Sequence, residues 1–277
     1  MAEPAAPAIP RRQSAGPASA RAMMLTLLGE CVLPAGGTAW TSAVVAAFER
    51  LGVAEKAARQ ALMRTANAGW LEPVKEGRRT RWELTADARR MLGDGAERIY
   101  SFGPADGWDG RWVLVAARIA DGDRAARHRV RTRLAWAGFG SLGSGLWISP
   151  HAEREAEAVR VLREARVADG AHVFTARRSD VGDVRAMVGQ AWDLEAIGAA
   201  YSEFNAEFRA AVPRDVLARQ LELVHAWRRF PAIDPALPRE LLPAAWNGAR
   251  AAELFADRHS RWAPDARREW RRLNDPA

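Results

Sequence analysis

The fold is decided by Val53-Ala-Glu-Lys-Ala-Ala-Arg-Gln-Ala-Leu-Met-Arg-Thr-Ala-Asn-Ala-Gly69, which runs directly into Trp70-Leu-Glu-Pro-Val-Lys-Glu-Gly-Arg-Arg-Thr-Arg-Trp-Glu-Leu84. In a helix of about 3.6 residues per turn, Val53, Ala57, Ala58, Ala61, Leu62 and Ala66 gather on one side. Lys56, Arg59, Gln60, Met63, Arg64 and Asn67 recur at i, i+3, i+4, i+7, i+8 and i+11 and make the opposite face. Guanidinium, ammonium and amide groups suit base edges and phosphates in a major groove. In the second stretch, Gly77 separates two short runs of strand-forming residues, which predicts a hairpin. Its tip and returning strand carry Arg78, Arg79 and Arg81. A helix followed by a basic wing is the winged helix-turn-helix plan, and it predicts a chain that binds double-stranded DNA.

The flanking sequence fits the same module. Met24, Leu27, Leu28 and Cys31 form an apolar stripe behind a candidate N-cap at Ser19. Thr41 is a second candidate cap, for a helix that turns Val44, Ala47, Phe48 and Leu51 inward and stops at Gly52. Thr85 is a third, for an amphipathic helix reaching about Tyr100. Residues 19–100 therefore form the expected DNA-binding domain, behind an Ala/Pro-rich tail at 1–18 that is expected to be disordered.

Composition narrows the function. The chain has 277 residues and a formal net charge of +7, enough length for two or three cores and a charge that favours a polyanionic partner. Lys56 and Lys75 are the only lysines, so the placement of arginines matters more than their number. Cys31 is the single cysteine and sits on an apolar stripe, which predicts a buried thiol. His128, His151, His172, His225 and His259 lack metal-ligand spacing. There is no Gly-rich phosphate loop, no nucleophile elbow and no apolar run long enough for a membrane span. The expectation is a cytoplasmic protein that is not an enzyme, with no catalytic residue, metal site or cofactor.

Residues 101–110 read as a turn-rich linker. Beyond it, Arg111–Ile119 is an almost continuous apolar run, as in a strand buried on both faces. Arg124–Ala137 reads as a helix, Phe139–Leu142 and Gly145–Ser149 as strands around a Gly143-Ser144 turn, and Ala152–Ala168 as a helix with Ala156, Val159 and Leu162 or Val167 inward. Ala171–Ala176 is a last strand. This β-α-β-β-α-β order predicts a ferredoxin-like domain over 108–180. Its helices cover one face of the sheet, so the second face needs a cover, a second copy of the chain or another domain, of which the copy is the more economical choice. Asp109 and Asp121 beside the first strand leave open a metal-dependent nuclease, against which stands an ordinary strand-to-helix turn.

From 190 to 272 the pattern is helical. Trp192, Leu194, Ile197, Tyr201, Phe204 and Phe208 make one stripe. Val216, Leu217, Leu221, Val224 and Trp227 make another, opened by Pro213. A proline-punctuated loop follows, then a helix over Trp246–Arg258. The class is therefore α+β, with an N-terminal winged helix-turn-helix, a central ferredoxin-like βαββαβ domain and a C-terminal all-α domain. An aromatic lobe of this kind can hold an aromatic or acyl ligand between helices.

With these residues in view, the chain resembles the PaaX family of phenylacetate-degradation repressors from about Ser19 to Leu254. Ser19-Ala-Arg21, Gly36-Gly37, Trp40, Arg59, Arg64, Gly69-Trp70-Leu71, Glu76-Gly-Arg-Arg79 and Leu84-Thr85 match its winged helix. Trp108-Asp-Gly-Arg-Trp112, Trp136, Gly138-Phe-Gly140, Gly145, Trp147 and Pro150 resemble its central signature. Phe230-Pro231, Asp234-Pro235, Leu237-Pro238, Leu241-Leu-Pro243, Trp246 and Gly248 resemble its C-terminal one. The resemblance implies a homodimeric repressor on a catabolic operator, released by an aryl-acyl-CoA such as phenylacetyl-CoA. Trp108, Arg111 and Trp112, at the glycine-hinged entry to the central sheet, are the effector-binding candidates: an arginine for phosphates, aromatics for the acyl group. The alternative within the same class is a winged-helix regulator with a different effector or none.

Overall fold

The computed structural model describes residues 19–103, 107–120, 122–210 and 212–275; the expected tail at 1–18 and Asp121 lie outside them. It is a mixture of helices and two antiparallel sheets, an α+β chain.

Helix α1 (Ala20–Leu27) starts at Ser19, whose hydroxyl accepts from the Ala22 N–H at 3.2 Å. Met24, Leu27, Leu28 and Cys31 are all buried, as their spacing predicts. The stripe is not one regular helix, however, because the chain widens into a π-turn over Leu28–Val32. A three-residue strand, β1 (Thr38–Trp40), then leads into α2 (Thr41–Arg50). Thr41 makes no cap. It is the first helical residue, and its hydroxyl donates to Thr80 O at 3.1 Å while accepting from Trp82 Nε1 at 3.0 Å. The hydroxyl that propensity assigns to a helix end instead ties α2 to the hairpin.

Helix α3 (Glu55–Asn67) precedes β2 (Leu71–Glu76) and β3 (Arg79–Leu84), and α4 (Ala86–Tyr100) follows. Thr85 caps α4 as expected, its hydroxyl 3.1 Å from Ala88 N. The sheet order is β1–β3–β2, with Trp40 opposite Arg81 and Glu76 opposite Arg79.

The second sheet contains β4 (Arg111–Ala117), β5 (Gly140–Gly143), β6 (Leu146–Ser149) and β7 (Ala171–Arg177) in the order β5–β6–β4–β7. Between strands run α5 (Arg124–Trp136) and α6 (Glu155–Glu164). Both helices pack on one face, where Val113 and Val115 meet Val130, Leu134, Val161 and Leu162. Ala156 and Val159 do not face this core. A short 3₁₀ turn at Ala152–Arg154 delays α6, and the buried set becomes Ala158, Val161, Leu162 and Ala165. The β5–β6 turn also shifts by one residue, to Ser144-Gly145 with φ of 47° and 79°.

The other face of this sheet needs no second molecule. Trp112 and Ile148 are covered there by Val188 of α7 (Val184–Ala191) and by Leu237 and Leu241 of the proline-rich segment. The need for a second copy of the chain is corrected at this face: distant segments of the same chain supply the cover.

The remaining helices are α8 (Leu194–Arg209), α9 (Val216–Trp227), α10 (Phe230–Ile233) and α11 (Gly248–Asn274). Asp215, not Pro213, opens α9, its carboxylate 2.9 Å from Ala218 N. Helix α11 runs past Arg258 and through Pro264 to Asn274, because Trp262, Ala263, Ala266 and Trp270 continue a buried stripe. The chain divides into two compact units: the described residues of Met1–Ser101, Ala206–Arg228 and Glu253–Ala277, and those of Phe102–Asn205 and Arg229–Ala252.

In the first unit the π-turn delivers Glu30 to the interior, 1% exposed. Such turns recur at places where a helix must present a side chain out of register. Gln220 Nε2 donates to its carboxylate at 3.0 Å and the Tyr100 hydroxyl donates too, while His259 Nε2 lies at 3.3 Å and Arg267 Nη2 at 3.5 Å. Burial alone pushes the Glu30 carboxyl up, but the contacts with His259, Tyr100 and Arg267 outweigh it and hold it below the usual range. Segments far apart in sequence thus close around one ionised group.

Candidate nucleic-acid interface

Helix α3 is held by a narrow stripe. Ala58, Ala61, Leu62 and Thr65 are buried, and Thr65 returns its hydroxyl proton to Ala61 O at 2.7 Å. Small residues let the helix sit close to its neighbours, which leaves most of its circumference outward. Lys56, Arg59, Gln60, Met63, Arg64 and Asn67 are all exposed and line one shallow concavity with Glu55. Met63 is 49% exposed, unusual for a large apolar side chain on a free surface. Glu55 stands in the first helical turn, where the macrodipole favours an anion, and its Oε1 accepts from Arg59 Nε at 2.7 Å.

The hairpin sits beside this face. Gly77, at φ 61°, takes the first of its two loop positions, a conformation that favours glycine and leaves Arg78 at the tip. Arg78 and Arg79 line a second groove together with Trp40, Thr41, Ser42, Thr80 and, from α3, Arg59. Arg59 therefore belongs to both surfaces and joins the helix to the hairpin.

Arg81 behaves differently from its neighbours. Its Nη2 lies 3.0 Å from Glu83 and 3.1 Å from Glu76, so two carboxylates of the hairpin hold it against the strands. The groove also includes residues that sequence spacing does not indicate: Thr41 and Ser42 at the start of α2, and Leu273 and Asp275 near the other end of the chain. No local pattern marks them, because only the tertiary fold brings them to the hairpin.

The effector candidates lie in the second unit and do come together. Trp108 and Trp112 meet edge to face at 5.3 Å, and the Trp108 indole N–H donates to Arg111 O at 2.9 Å. Arg111 is engaged by Asp109, whose carboxylate accepts from its backbone N–H at 2.8 Å and from Nε at 2.5 Å. These bonds hold the Asp109 carboxyl below its ordinary range. Trp112 is 3% exposed and packs among Ile148, Val188, Leu237 and Leu241. Asp109 is thus the partner of an arginine, and among the described residues no three His, Cys, Asp or Glu side chains gather as metal ligands do. Cys31 is buried and its thiol is pushed well up by that burial. No helix among the described residues is long and apolar enough to cross a membrane.

Family models match three successive parts of the chain: residues 19–88 match a PaaX-like protein, 105–188 the PaaX protein central Cas2-like domain, and 192–272 the PaaX-like protein C-terminal domain. The chain is 34% identical over 268 residues to the transcriptional repressor PaaX of Escherichia coli strain K12, covering 91% of this chain and 83% of that protein. It is also similar to the solved structure of an uncharacterized protein from Mycobacterium tuberculosis. There the TM-score is 0.64 at 26% identity, over 92% of this chain and all of the other. The class these likenesses define is that of transcription regulators, not enzymes. The chain belongs to the PaaX family.

Proposed function

We propose that the chain is a transcriptional repressor that holds an operator in duplex DNA through α3 and the β2–β3 hairpin, acting as a winged helix. The observation that carries this is the position of Arg59, which lines the outward face of α3 and also the groove of Arg78 and Arg79. Side chains able to read bases and side chains able to grip phosphates thereby form one continuous surface. We assign base contacts to Lys56, Arg59, Gln60, Met63, Arg64 and Asn67, and backbone contacts to Arg78 and Arg79. Arg81 joins them only by leaving Glu76 and Glu83.

We further propose a homodimer, because a module of this size gains affinity from two half-sites one helical turn or more apart. The strand order β5–β6–β4–β7 with α5 and α6 on one face supports a ferredoxin-like central domain. As the family resemblance implies, the operator belongs to a cytoplasmic phenylacetate-type catabolic system, and an aryl-acyl-CoA releases the repressor. Such release requires that the ligand bind the DNA-incompetent arrangement better. Arg111 is the assigned contact for the effector's phosphates, which it reaches by giving up Asp109.

The test is footprinting of the purified chain on duplexes from its own gene neighbourhood, followed by titration with phenylacetyl-CoA. Protection of a two-fold site, lost on adding the thioester, is the expected result. Absence of any protected site overturns the operator assignment. Protection indifferent to every aryl-acyl-CoA leaves a regulator with another effector or none. With Arg111→Ala, operator binding should persist while release needs more thioester; an unchanged requirement removes Arg111 from the effector site.

A further inference from the structure

Met63 is the odd member of the outward face of α3. It is 49% exposed, and every other side chain lining that shallow concavity is charged or carries an amide. The helix does not depend on it for packing, because Ala58, Ala61, Leu62 and Thr65 are the residues it buries. An apolar side chain left in water among cations gains most from a partner that is itself apolar and small enough to fit between them.

Its position narrows that partner. Arg59 and Gln60 stand one turn before Met63, Asn67 stands one turn after it and Arg64 follows it, so Met63 occupies the middle of the face. Phosphate oxygens suit the arginines and offer a thioether nothing. The amides of Gln60 and Asn67 have the geometry to pair with the N6 and N7 edge of adenine. Each adenine brings a thymine on the opposite strand, whose 5-methyl is the one methyl group that a base pair shows in the major groove. Among the residues lining the face, the one carboxylate that could accept from cytosine is that of Glu55, and Arg59 already donates to it at 2.7 Å. Two amides for adenine and an apolar tip between them for its partner form one consistent set.

We infer that Met63 is a specificity-determining residue, which reads a thymine through its 5-methyl group at the operator position beneath the middle of α3. The inference rests on the proposed function to the extent that α3 enters the major groove. It adds the base at the centre of the footprint and the group by which that base is recognised. Methionine suits the task, since its unbranched and polarizable side chain can adjust to the methyl group.

The experiment uses the full chain and the duplex it protects most strongly from its own gene neighbourhood, with each thymine replaced singly by deoxyuridine. That replacement deletes the methyl group and keeps the hydrogen-bonding groups of the base. Affinity is measured by fluorescence anisotropy for the parent, M63A and M63L. The parent should bind about fourfold more weakly at one thymine per half-site, the worth of one buried methyl group. M63A should bind the unmodified duplex roughly fourfold more weakly and lose nothing further at that thymine, so that the two changes fail to add. M63L, still apolar, should keep the sensitivity. Because Met63 is half exposed, M63A should unfold at the parental temperature. A parent that binds every uracil duplex as tightly as the thymine duplex overturns the inference, as does an equal loss at that thymine in M63A. A parent that prefers no duplex over random DNA overturns the operator reading as well, which separates the two failures.

Discussion

Helices α3 and α5 are alike in outline and different in vocabulary. Each has thirteen residues, each buries a short stripe, Ala58, Ala61, Leu62 and Thr65 in one and Ala126, Val130 and Leu134 in the other, and each turns guanidinium groups to solvent. The outward face of α3 mixes Lys56 and two arginines with Gln60, Met63 and Asn67, and opens with Glu55. That of α5 repeats arginine with one histidine and ends at an exposed Trp136. A face of mixed donors, acceptors and an apolar tip can tell all the base pairs apart, whereas arginines alone can pair only with guanine edges and phosphates. The variety of side chains on a basic helix therefore says more about its role than its net charge does.

The largest effect that bears on this contrast is shared by the two helices. Leu62→Ala and Leu134→Ala each remove a fully buried side chain, and each should cost roughly 2–5 kcal/mol in urea unfolding. At temperatures where both variants remain folded, only Leu62→Ala should erode preference for operator over random DNA. Equal erosion in both would take base reading away from α3. Next come Arg59→Ala and Arg64→Ala, each expected to weaken operator binding by about 1–3 kcal/mol per lost bidentate contact, with little change on random duplex. Affinity equal to the parent in both variants would take α3 out of base recognition.

A smaller and different change is expected from R78A/R79A. Binding should weaken on all sequences alike, with the log–log salt slope falling by about one to two units. An altered base preference at an unchanged slope would make the wing a reader as well.

The smallest effect sharpens the contrast at the level of the two units, through pH. Glu30 in the first unit has its pKa held down, so its contribution to stability is complete above the unfolded value and is lost as pH falls through the folded one. Asp234 in the second unit is pushed up by burial, although Tyr201 donates to it at 2.6 Å. Its sign is opposite: the parent gains as pH falls through the raised pKa. Relative to Glu30→Gln, the parent's stability advantage should shrink on acidification; relative to Asp234→Asn it should grow. Chemical denaturation from neutral pH into the carboxylate range measures both, and parallel curves would refute the assigned shifts.

The outward face of α3 and its hairpin are legible in sequence because both are local. A 3.6-residue period and one glycine at φ 61° specify them without help from distant residues. Features that depend on distant partners are not legible in this way. Strand β1 has three residues, too few to show alternation, and exists because Thr38, Ala39 and Trp40 find partners on β3. Sequence spacing opens α9 at Pro213, and only the hydrogen bond that the Ala218 N–H gives the Asp215 carboxylate moves the start. Pro264 marks a break by propensity, yet the buried stripe through Trp270 carries α11 past it. The apolar character of β4 on both faces was visible, but the identity of its cover was not, since Val188, Leu237 and Leu241 lie far along the chain. At the site itself, Ser42 and Leu273 carry no signal at all.

Asn274 closes the β1 edge of the sheet that contains the β2–β3 hairpin: its Oδ1 accepts from Trp40 N at 2.8 Å and its Nδ2 donates to Thr38 O at 3.1 Å. The two bonded residues, Trp40 and Asn274, are separated by 234 positions. At typical rates of translation, roughly ten to fifty seconds pass between the synthesis of one and of the other. Throughout that interval α3 can form on the ribosome, but β1 lacks this partner and Glu30 awaits His259 and Arg267. A growing chain is thereby kept from completing the β1 edge of this sheet until Asn274 has been translated.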